Sequence, residues 1–269
     1  MPRVGGEADK IGNRYEGIWT ASQILLVLGG RARAITVEVL GAEGEGAEFI
    51  LEKDRSTEAH QVKRQAGTAN SWSAATLESK GVLANALKHI DAGREFHFRS
   101  TIPSPKLAEM SDRARRTDDL DKFAKEMADG PYKGEFEVLI SRGSCGSARR
   151  AWELLRGLYP DWPSEQHLRD TNATLGGLLI EGADGLLVMT GLIDLLLNKL
   201  GVRLDAERIG ALLPQYGLCR ANHIGSAGLD TQVRAITSGW TAGAIPSGSP
   251  GTSSASRRGW GRSATSMTR

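Results

Sequence analysis

Three polar residues in the first quarter of the chain have the types and spacing of a divalent-cation site. Glu48 lies in AEFILE (47–52), and Gln61 and Lys63 lie in EAHQVKRQ (58–65). Residues two apart on a strand project from the same face, so Gln61 and Lys63 are expected side by side. Oxygen ligands suit Mg²⁺, and a nearby cation assists water in attacking a phosphodiester. We therefore expect Glu48 as the main metal ligand, Gln61 as a neutral oxygen ligand, and Lys63 to orient or deprotonate the water.

Two further glutamates can add to this site. Glu16 lies on the first predicted helix and can supply another catalytic carboxylate from above the sheet. Glu38 lies on the first predicted strand and becomes a metal ligand if that strand abuts the second one on the same face. Each residue alone also has a simpler interpretation, because strand glutamates are usually solvated. Lys63 with Arg64 can equally be a charged strand edge that resists aggregation.

The elements that must position these residues follow the order αβββαβ. Residues 10–28 have helical apolar spacing and end at two glycines, and residues 72–90 form the second predicted helix. Four strands are predicted from alternation or β propensity, over 34–40, 47–52, 58–65 and 94–101, with a glycine-rich hairpin at 41–46. Because a helix joins the third and fourth strands, we expect those two to be parallel, with a right-handed connection.

The composition changes after this core. Two helices are expected between residues 105 and 128, and leucine-rich helical segments follow Gly130-Pro131, so we place domains at 1–131, 132–236 and 237–269. The run 184–201 contains charged residues and is expected to be a buried helix, not a membrane span. The last segment has no acidic residue and little to bury, which predicts disorder; a basic tail that binds nucleic acid is the alternative. The abrupt change in composition at this segment also suggests that the gene is truncated or frameshifted there.

The bulk composition restricts the class of protein only in part. The 34 basic and 32 acidic residues give a net charge of +2, so overall charge does not argue for nucleic acid. Cys145 and Cys219 have no zinc-ligand spacing and fit a reducing compartment. No signal-peptide stretch or membrane span is apparent, and we expect a cytoplasmic protein without a membrane partner.

These segments together resemble a known superfamily. The αβββαβ order with an acid on the second strand and (Asp/Glu/Gln)-x-Lys on the third is similar to the PD-(D/E)xK, restriction-endonuclease-like nucleases. More narrowly, residues 5–130 resemble the double-stranded DNA endonuclease domains of bacterial antiphage effectors, both the Cap4-type effectors and the Avs-like STAND NTPases. Their Gly-x-x-Tyr-(Gln/Glu) segment matches Gly12, Tyr15 and Glu16, and their site residues match Glu48, Gln61 and Lys63.

The resemblance implies a function. It implies Mg²⁺-dependent cleavage of double-stranded DNA with little sequence preference, with Mn²⁺ able to substitute. The phosphate contacts expected near the site are Lys63, Arg64 and Lys80, with His60 and Arg99 harder to place. Trp72 is a further candidate for stacking on nucleic acid, although a core position under the second helix is the favoured interpretation.

The chain also departs from the family pattern. Glu48 replaces the commoner aspartate, and Gln61 replaces the usual carboxylate, which removes one negative charge from the metal site. A catalytically weak or inactive module that binds DNA or a protein partner is therefore the alternative function. Residues 132–235 resemble the segment that precedes the NTPase module, yet no phosphate-binding P-loop motif follows. A homo-oligomer through this helical region is an open possibility.

Overall fold

The protein has an α/β fold built on a mixed sheet. The computed structural model describes residues 14–39, 41, 43–63, 70–142, 144–182, 184–221 and 227–241. The strands are β1 (Ala34–Val37), β2 (Phe49–Glu52), β3 (Thr57–Lys63), β4 (Glu95–Ser100), β5 (Leu158–Asp161), β6 (Ile180–Glu181), β7 (Arg203–Asp205) and β8 (Cys219–Arg220). The helices are α1 (Arg14–Leu28), α2 (Ala74–Ser79), α3 (Val82–Asp91), α4 (Pro105–Arg116), α5 (Leu120–Asp129), α6 (Lys133–Glu137), α7 (Ala148–Gly157), α8 (Glu165–Leu179), α9 (Gly185–Leu197), α10 (Ala206–Leu212) and α11 (Ala227–Thr241). A π-helical turn at Val138–Arg142 and a 3₁₀ turn at Leu213–Tyr216 complete the described elements.

Six strands form the main sheet, in the order β5-β4-β3-β2-β1-β7. Strands β1, β2 and β3 form an antiparallel meander, and β7 pairs antiparallel with β1. Strand β4 is parallel to both β3 and β5. The predicted αβββαβ order and the parallel pairing of the third and fourth strands are therefore confirmed.

Alternation along β3 gives each face of the sheet its own core. Val62 packs with one cluster of buried side chains, which includes α1, α8, α9 and α10. Ala59 lies three residues before Val62 and packs with a second cluster, which includes α2 through α7. A strand sends successive side chains to opposite faces, so these two clusters lie on opposite sides of one sheet.

Helix α1 is buried on almost every side. Ile18, Ile24 and Leu25 lie within the first cluster, together with residues of α8 and α9. A helix that is apolar around its circumference is stable only when neighbouring elements cover all of it. In the described part of the chain, no helix combines the length and hydrophobicity needed to cross a bilayer. The leucine-rich α9 is instead buried through Val188, Leu192 and Leu195, as the sequence predicted.

The residues after position 131 share the sheet of the residues before it. Strand β5 pairs with β4, and β7 pairs with β1. Helices α8 and α9 cover the same sheet face as α1. This changes the interpretation of 132–236 as a helical connecting domain, because these residues complete the sheet and both cores of residues 14–131.

Some predicted boundaries differ from the observed ones. The helix expected over 72–90 is two helices, because Gly81 adopts a φ of 71° between α2 and α3. This left-handed conformation interrupts a helix and favours glycine. The predicted start of the tail, at residue 237, is too early, because α11 continues to Thr241. Some predictions fall outside the described residues. These concern the remainder of the tail (242–269), Gly12 and Arg64.

Candidate functional site

Several chain segments meet at one end of the sheet. Val37 at the end of β1 pairs with Phe49 at the start of β2. Lys63 at the end of β3 pairs with Ser100 at the end of the parallel strand β4. The first turn of α1 reaches the same place, because the hydroxyl of Tyr15 donates to the Ser100 carbonyl oxygen at 3.0 Å. This end of the sheet therefore gathers the segments that carry the predicted site residues.

The predicted metal ligand and the predicted lysine are in contact. The Lys63 Nζ lies 3.4 Å from the Glu48 Oε1, and the Lys63 and Glu48 side chains are 38% and 22% exposed, respectively. The Glu48 N–H donates to the His60 carbonyl, although Phe49 is the register partner of His60. Two residues opposite one are typical of a β-bulge, which locally redirects side chains. The strand ends thus hold a carboxylate and an ammonium side by side, at a place that solvent reaches.

Gln61, on the same strand as Lys63, has an unsatisfied oxygen. The residue is only 4% exposed, and its Oε1 has no hydrogen-bond partner among the described residues. Gln61 lies two residues before Lys63 on β3 and so shares its face. An unpaired buried carbonyl oxygen is costly, and a hard cation would satisfy it. Glu48 and Gln61 thus offer a carboxylate and an amide oxygen, which are ligand types that Mg²⁺ accepts.

The hairpin loop before β2 is fixed against α3. Gly46 has a φ of 83°, and a Cβ there would lie 2.1 Å from the Asn85 Cγ. The Lys88 Nζ lies 2.5 Å from the Glu45 Oε2, and Arg94 donates to the Glu43 carbonyl at 2.8 Å. Only glycine combines this left-handed backbone with such a close approach. These contacts fix the entry of the chain into β2 and hence the position of the adjoining glutamate.

Ser100 connects the elements behind the site. Its hydroxyl accepts from the Trp72 indole N–H at 2.6 Å, and its carbonyl accepts from Tyr15. The Tyr15 side chain is fully buried, and desolvation raises the pKa of its phenol. Trp72 packs edge-on against Phe98, so the core interpretation of this tryptophan is confirmed. Ser100 was not among the sequence-predicted residues, because its role depends on the parallel register alone.

Glu16 and Glu38 share a neighbouring cavity of about 370 Å³, whose lining does not include Glu48, Gln61 or Lys63. The Glu38 N–H donates to the Glu48 carbonyl at 2.8 Å, so their backbones are adjacent. Glu38 has a φ of 52°, the only positive value at a non-glycine residue among those described. Such backbone strain is often found at functional sites.

The predicted DNA contacts are distributed unevenly. Lys80 is exposed, at the turn between α2 and α3. His60 and Arg99 are only 1% and 7% exposed, respectively. The suggestion that these two contact DNA is wrong for the folded protein, because strand alternation directs both side chains to the interior under α1. Lys63 and Lys80 are the described residues that remain available to a phosphate backbone.

His60 and Arg99 belong to a second polar cluster, on the α1 face of the sheet. The His60 Nε2 lies 2.9 Å from the Glu58 Oε2, and the His97 Nε2 lies 3.5 Å from the Glu58 Oε1. The Lys53 Nζ lies 2.5 Å from the same Glu58 Oε1. The sequence signal was a Glu-x-His on β3 and a His-x-Arg on β4, since the parallel register pairs His60 with His97.

This cluster predicts loss of stability in acid. Desolvation on burial lowers the pKa of His60 from 6.5 to about 4, and it lowers the pKa of His97 as well. His60 therefore stays neutral in the folded state while the unfolded chain binds a proton below pH 6.5. We expect the free energy of unfolding to fall by about 3 kcal/mol between pH 6.5 and 4 from His60 alone. Desolvation on burial raises the pKa of Glu58, but the hydrogen bond with His60 and the Lys53 ammonium lower it by more, so the net direction is downward and adds a further loss below pH 4.5.

Chemical denaturation across this pH range tests the expectation. The substitution His60→Gln should reduce the slope of the pH dependence between 6.5 and 4 and leave the part that His97 contributes, whereas His167→Gln at an exposed position should leave the slope unchanged. An unfolding free energy of the wild type that is constant over this range would show that His60 is not held neutral by burial.

The similarity of this chain to known proteins is low. No protein-family model and no curated protein matches the chain. Among solved structures, it is similar to the Moraxella osloensis Cap4 SAVED/CARF-domain containing receptor, with a TM-score of 0.38 and 11% sequence identity. The match covers 86% of this chain and 48% of that one, so this chain spans about half the length of the receptor.

Proposed function

We propose that this chain is a metal-dependent endonuclease that cleaves double-stranded DNA. One observation carries the proposal: Lys63 contacts Glu48 at 3.4 Å, and the unpaired Gln61 oxygen shares the face of Lys63. Glu48 and Lys63 lie at a partly exposed strand end, and the Gln61 oxygen is buried two residues before Lys63. A carboxylate, an amide oxygen and an ammonium are groups that metal-dependent phosphodiester hydrolysis can use. The sequence resemblance to PD-(D/E)xK nucleases is consistent with these roles.

Each side chain has a distinct part in the proposed reaction. Glu48 and Gln61 would hold Mg²⁺ or Mn²⁺, and the ion supplies a Lewis acid and lowers the pKa of bound water. The Lys63 ammonium orients the attacking water and balances negative charge that develops on the phosphate. Glu16 and Glu38, in the adjoining cavity, are the carboxylates available to extend the site.

DNA binding would depend on phosphates rather than bases. Lys63 and the exposed Lys80 provide positive charge near the site, and Arg64 follows Lys63 directly in the sequence. Contacts of this kind give affinity that depends on salt and is blind to sequence. We therefore propose cleavage with little sequence preference. By the resemblance of residues 5–130, we further propose that the chain acts in the bacterial cytoplasm as an antiphage effector or as part of one.

A second candidate function follows from Gln61. A neutral amide in place of a carboxylate leaves the metal site with one negative charge fewer, which lowers its affinity for a divalent ion. The same fold would then be a weakly active or inactive module that binds DNA or a protein partner. DNA binding in a gel-shift assay without cleavage under any metal condition would favour this candidate.

The direct test is plasmid cleavage with Mg²⁺, with Mn²⁺ and with EDTA. We expect cleavage with either metal and none with EDTA. The substitution Glu48→Gln should reduce the rate on the order of 10²-fold or more, because the main ligand loses its charge. Glu207→Gln, at an exposed position on α10, is the matched control and should cleave as the wild type does. Cleavage that persists in EDTA or in Glu48→Gln would contradict the proposal.

A further inference from the structure

The large apolar side chains that are exposed among the described residues all belong to one segment of the chain. They are Leu187, Leu197 and Leu200, with exposed fractions of 51%, 43% and 41%. The first two lie on α9, and the third lies in the turn that follows this helix. Single exposed leucines are common on soluble proteins, whereas a group of them in one place marks a surface that a partner covers.

The exposed face of α9 has the residue spacing of a helix that pairs with another helix. Four exposed residues lie three, four and three positions apart, and they are Leu187, Thr190, Asp194 and Leu197. Residues three and four apart are neighbours on one side of a helix, and such a repeat forms the contact seam of paired helices. We call these four residues the α9 seam. The opposite side of the helix is already covered, because Val188 and Leu192 pack in the first cluster.

The α9 seam has the same pattern in both directions. A leucine lies at each end, and the two polar residues, Thr190 and Asp194, are equally far from position 192. In an antiparallel pair of α9 helices with its twofold axis level with that position, Leu187 of each copy faces Leu197 of the other. Thr190 of each copy then faces Asp194 of the other. A twofold interface requires this self-complementarity, because each contact occurs twice with the roles exchanged.

The carboxylate of the seam favours an antiparallel pair over the other occupants. In a parallel pair the two Asp194 side chains would be level with each other, and like charges that meet across an interface oppose association. In the antiparallel pair each carboxylate is level with a threonine, and the two carboxylates are about 6 Å apart along the helix axis. A lipid surface is a poor occupant, because a charge in the middle of the seam resists burial in an apolar medium.

A cavity at one end of the seam can receive a side chain from the second copy. Leu197 and Leu200 line the cavity of about 370 Å³ that Glu16 and Glu38 also line. Because Leu187 of the second copy faces Leu197, it lies at the mouth of this cavity. The twofold axis repeats the contact, so each copy supplies one leucine and one cavity. Apolar side chains that enter a pocket of the partner are typical anchors of an interface.

We propose that the chain forms a homodimer by antiparallel packing of the α9 seam, with Leu187 of each copy at the cavity of the other. Helix α9 has 13 residues and is about 20 Å long, so the contact belongs among the small, weak interfaces. We therefore expect a dissociation constant in the micromolar range. The dimer does not depend on the proposed nuclease activity.

Sedimentation velocity of the full chain, from about 1 to 200 μM, tests for the dimer. We expect the mass to rise with concentration towards twice the chain mass of 28.9 kDa. Leu187→Asp and Leu197→Asp should each raise the dissociation constant about tenfold or more, because each would bury a charge in the interface. Ala84→Asp adds the same charge at an exposed position on α3 and should dimerise as the wild type does.

Disulfide cross-linking in a mild oxidant tests the direction of the helices. The background is Cys219→Ser, which removes the exposed thiol and leaves the buried Cys145. In this background, Leu187→Cys and Leu197→Cys should cross-link when the two variants are mixed, and neither should cross-link by itself. Ala84→Cys should not cross-link with either variant.

Several results would overturn the proposal. One is a chain that remains a monomer at the highest concentration. Another is a dimer that persists unchanged in Leu187→Asp and Leu197→Asp, which would place the interface on a different surface. Efficient cross-linking of either cysteine variant with itself would indicate a parallel pair. A monomer whose melting temperature falls in both aspartate variants would show that another segment of the same chain covers the seam.

Discussion

Replacing Lys63 with alanine is expected to reduce Mg²⁺-dependent cleavage of plasmid DNA on the order of 10²- to 10⁴-fold. The Lys63 Nζ is the cationic group beside Glu48, at 3.4 Å, and it is partly exposed to solvent. Its removal takes away the positive charge that would orient water and stabilise the developing phosphate charge. The ion pair itself is partly solvated, so its contribution to folding should be at most about 1 kcal/mol. Cleavage rates and thermal unfolding of the same preparation distinguish these two effects.

Two further variants make this result specific. Lys125→Ala, at an exposed position on α5, removes the same charge away from the sheet end and should leave the rate unchanged. Lys63→Arg keeps the positive charge but replaces the ammonium with a guanidinium of different shape. We expect its cleavage rate to lie between those of the wild type and Lys63→Ala. If Lys63→Ala cleaves DNA at the wild-type rate, the proposed role of this residue is wrong.

Replacing Gln61 with glutamate is expected to make stability strongly dependent on Mg²⁺. The Gln61 side chain is buried with an unpaired oxygen, and Lys63, which contacts Glu48, lies two residues further along the same strand. In EDTA we expect the free energy of unfolding to fall by about 2 kcal/mol, because the new charge is buried and only partly balanced by Lys63. Mg²⁺ should restore most of this loss, with half-maximal stabilisation at a concentration about tenfold lower than in the wild type.

Thermal unfolding across a MgCl₂ titration measures both effects. Gln215→Glu adds the same charge at an exposed position and should show neither effect. If Gln61→Glu is destabilised to the same extent in EDTA and in saturating Mg²⁺, the amide oxygen does not face a metal site. Equal stability of Gln61→Glu and the wild type in EDTA would show that position 61 tolerates charge without a cation.

Local sequence patterns were sufficient for the central elements. The predicted helix α1 and strand β1 are both present in the structure, because apolar residues at regular spacing are those that can be buried. Burial goes beyond the predicted pattern, since α1 is buried on almost every side and β1 shows no alternation. The parallel pairing of β3 and β4 also followed, since a helix between two strands requires it. In contrast, β5 and β7 were missed. Each is only three or four residues long, and its pairing depends on strands far away in the sequence.

The candidate site also combines features that local sequence predicts with features that depend on distant segments. The strand period of two placed Gln61 and Lys63 on one face, and no tertiary information was needed for that inference. The contact of Lys63 with Glu48 depended on the register of β2 and β3 and on the bulge at its start. A shift of one residue in that register would send Lys63 to the other face. The turn between β2 and β3, in which the Lys53 N–H donates to the Ser56 carbonyl at 2.9 Å, helps to set that register. The hairpin loop holds the start of β2 through contacts with α3 that no local pattern encodes.

The residues chosen first, Glu48, Gln61 and Lys63, were thus identified from the sequence by type and spacing. Only the tertiary structure decided that Lys63 meets Glu48, that the Gln61 oxygen is buried without a partner, and that Glu16 and Glu38 line a neighbouring cavity. It also decided that His60 and Arg99 lie inside the protein, in a polar cluster beside a second cavity. The physical reason is that residue type and local period specify what a side chain can do and which face it occupies. Burial, hydrogen-bond partners and neighbouring charge come from segments that are distant in the sequence.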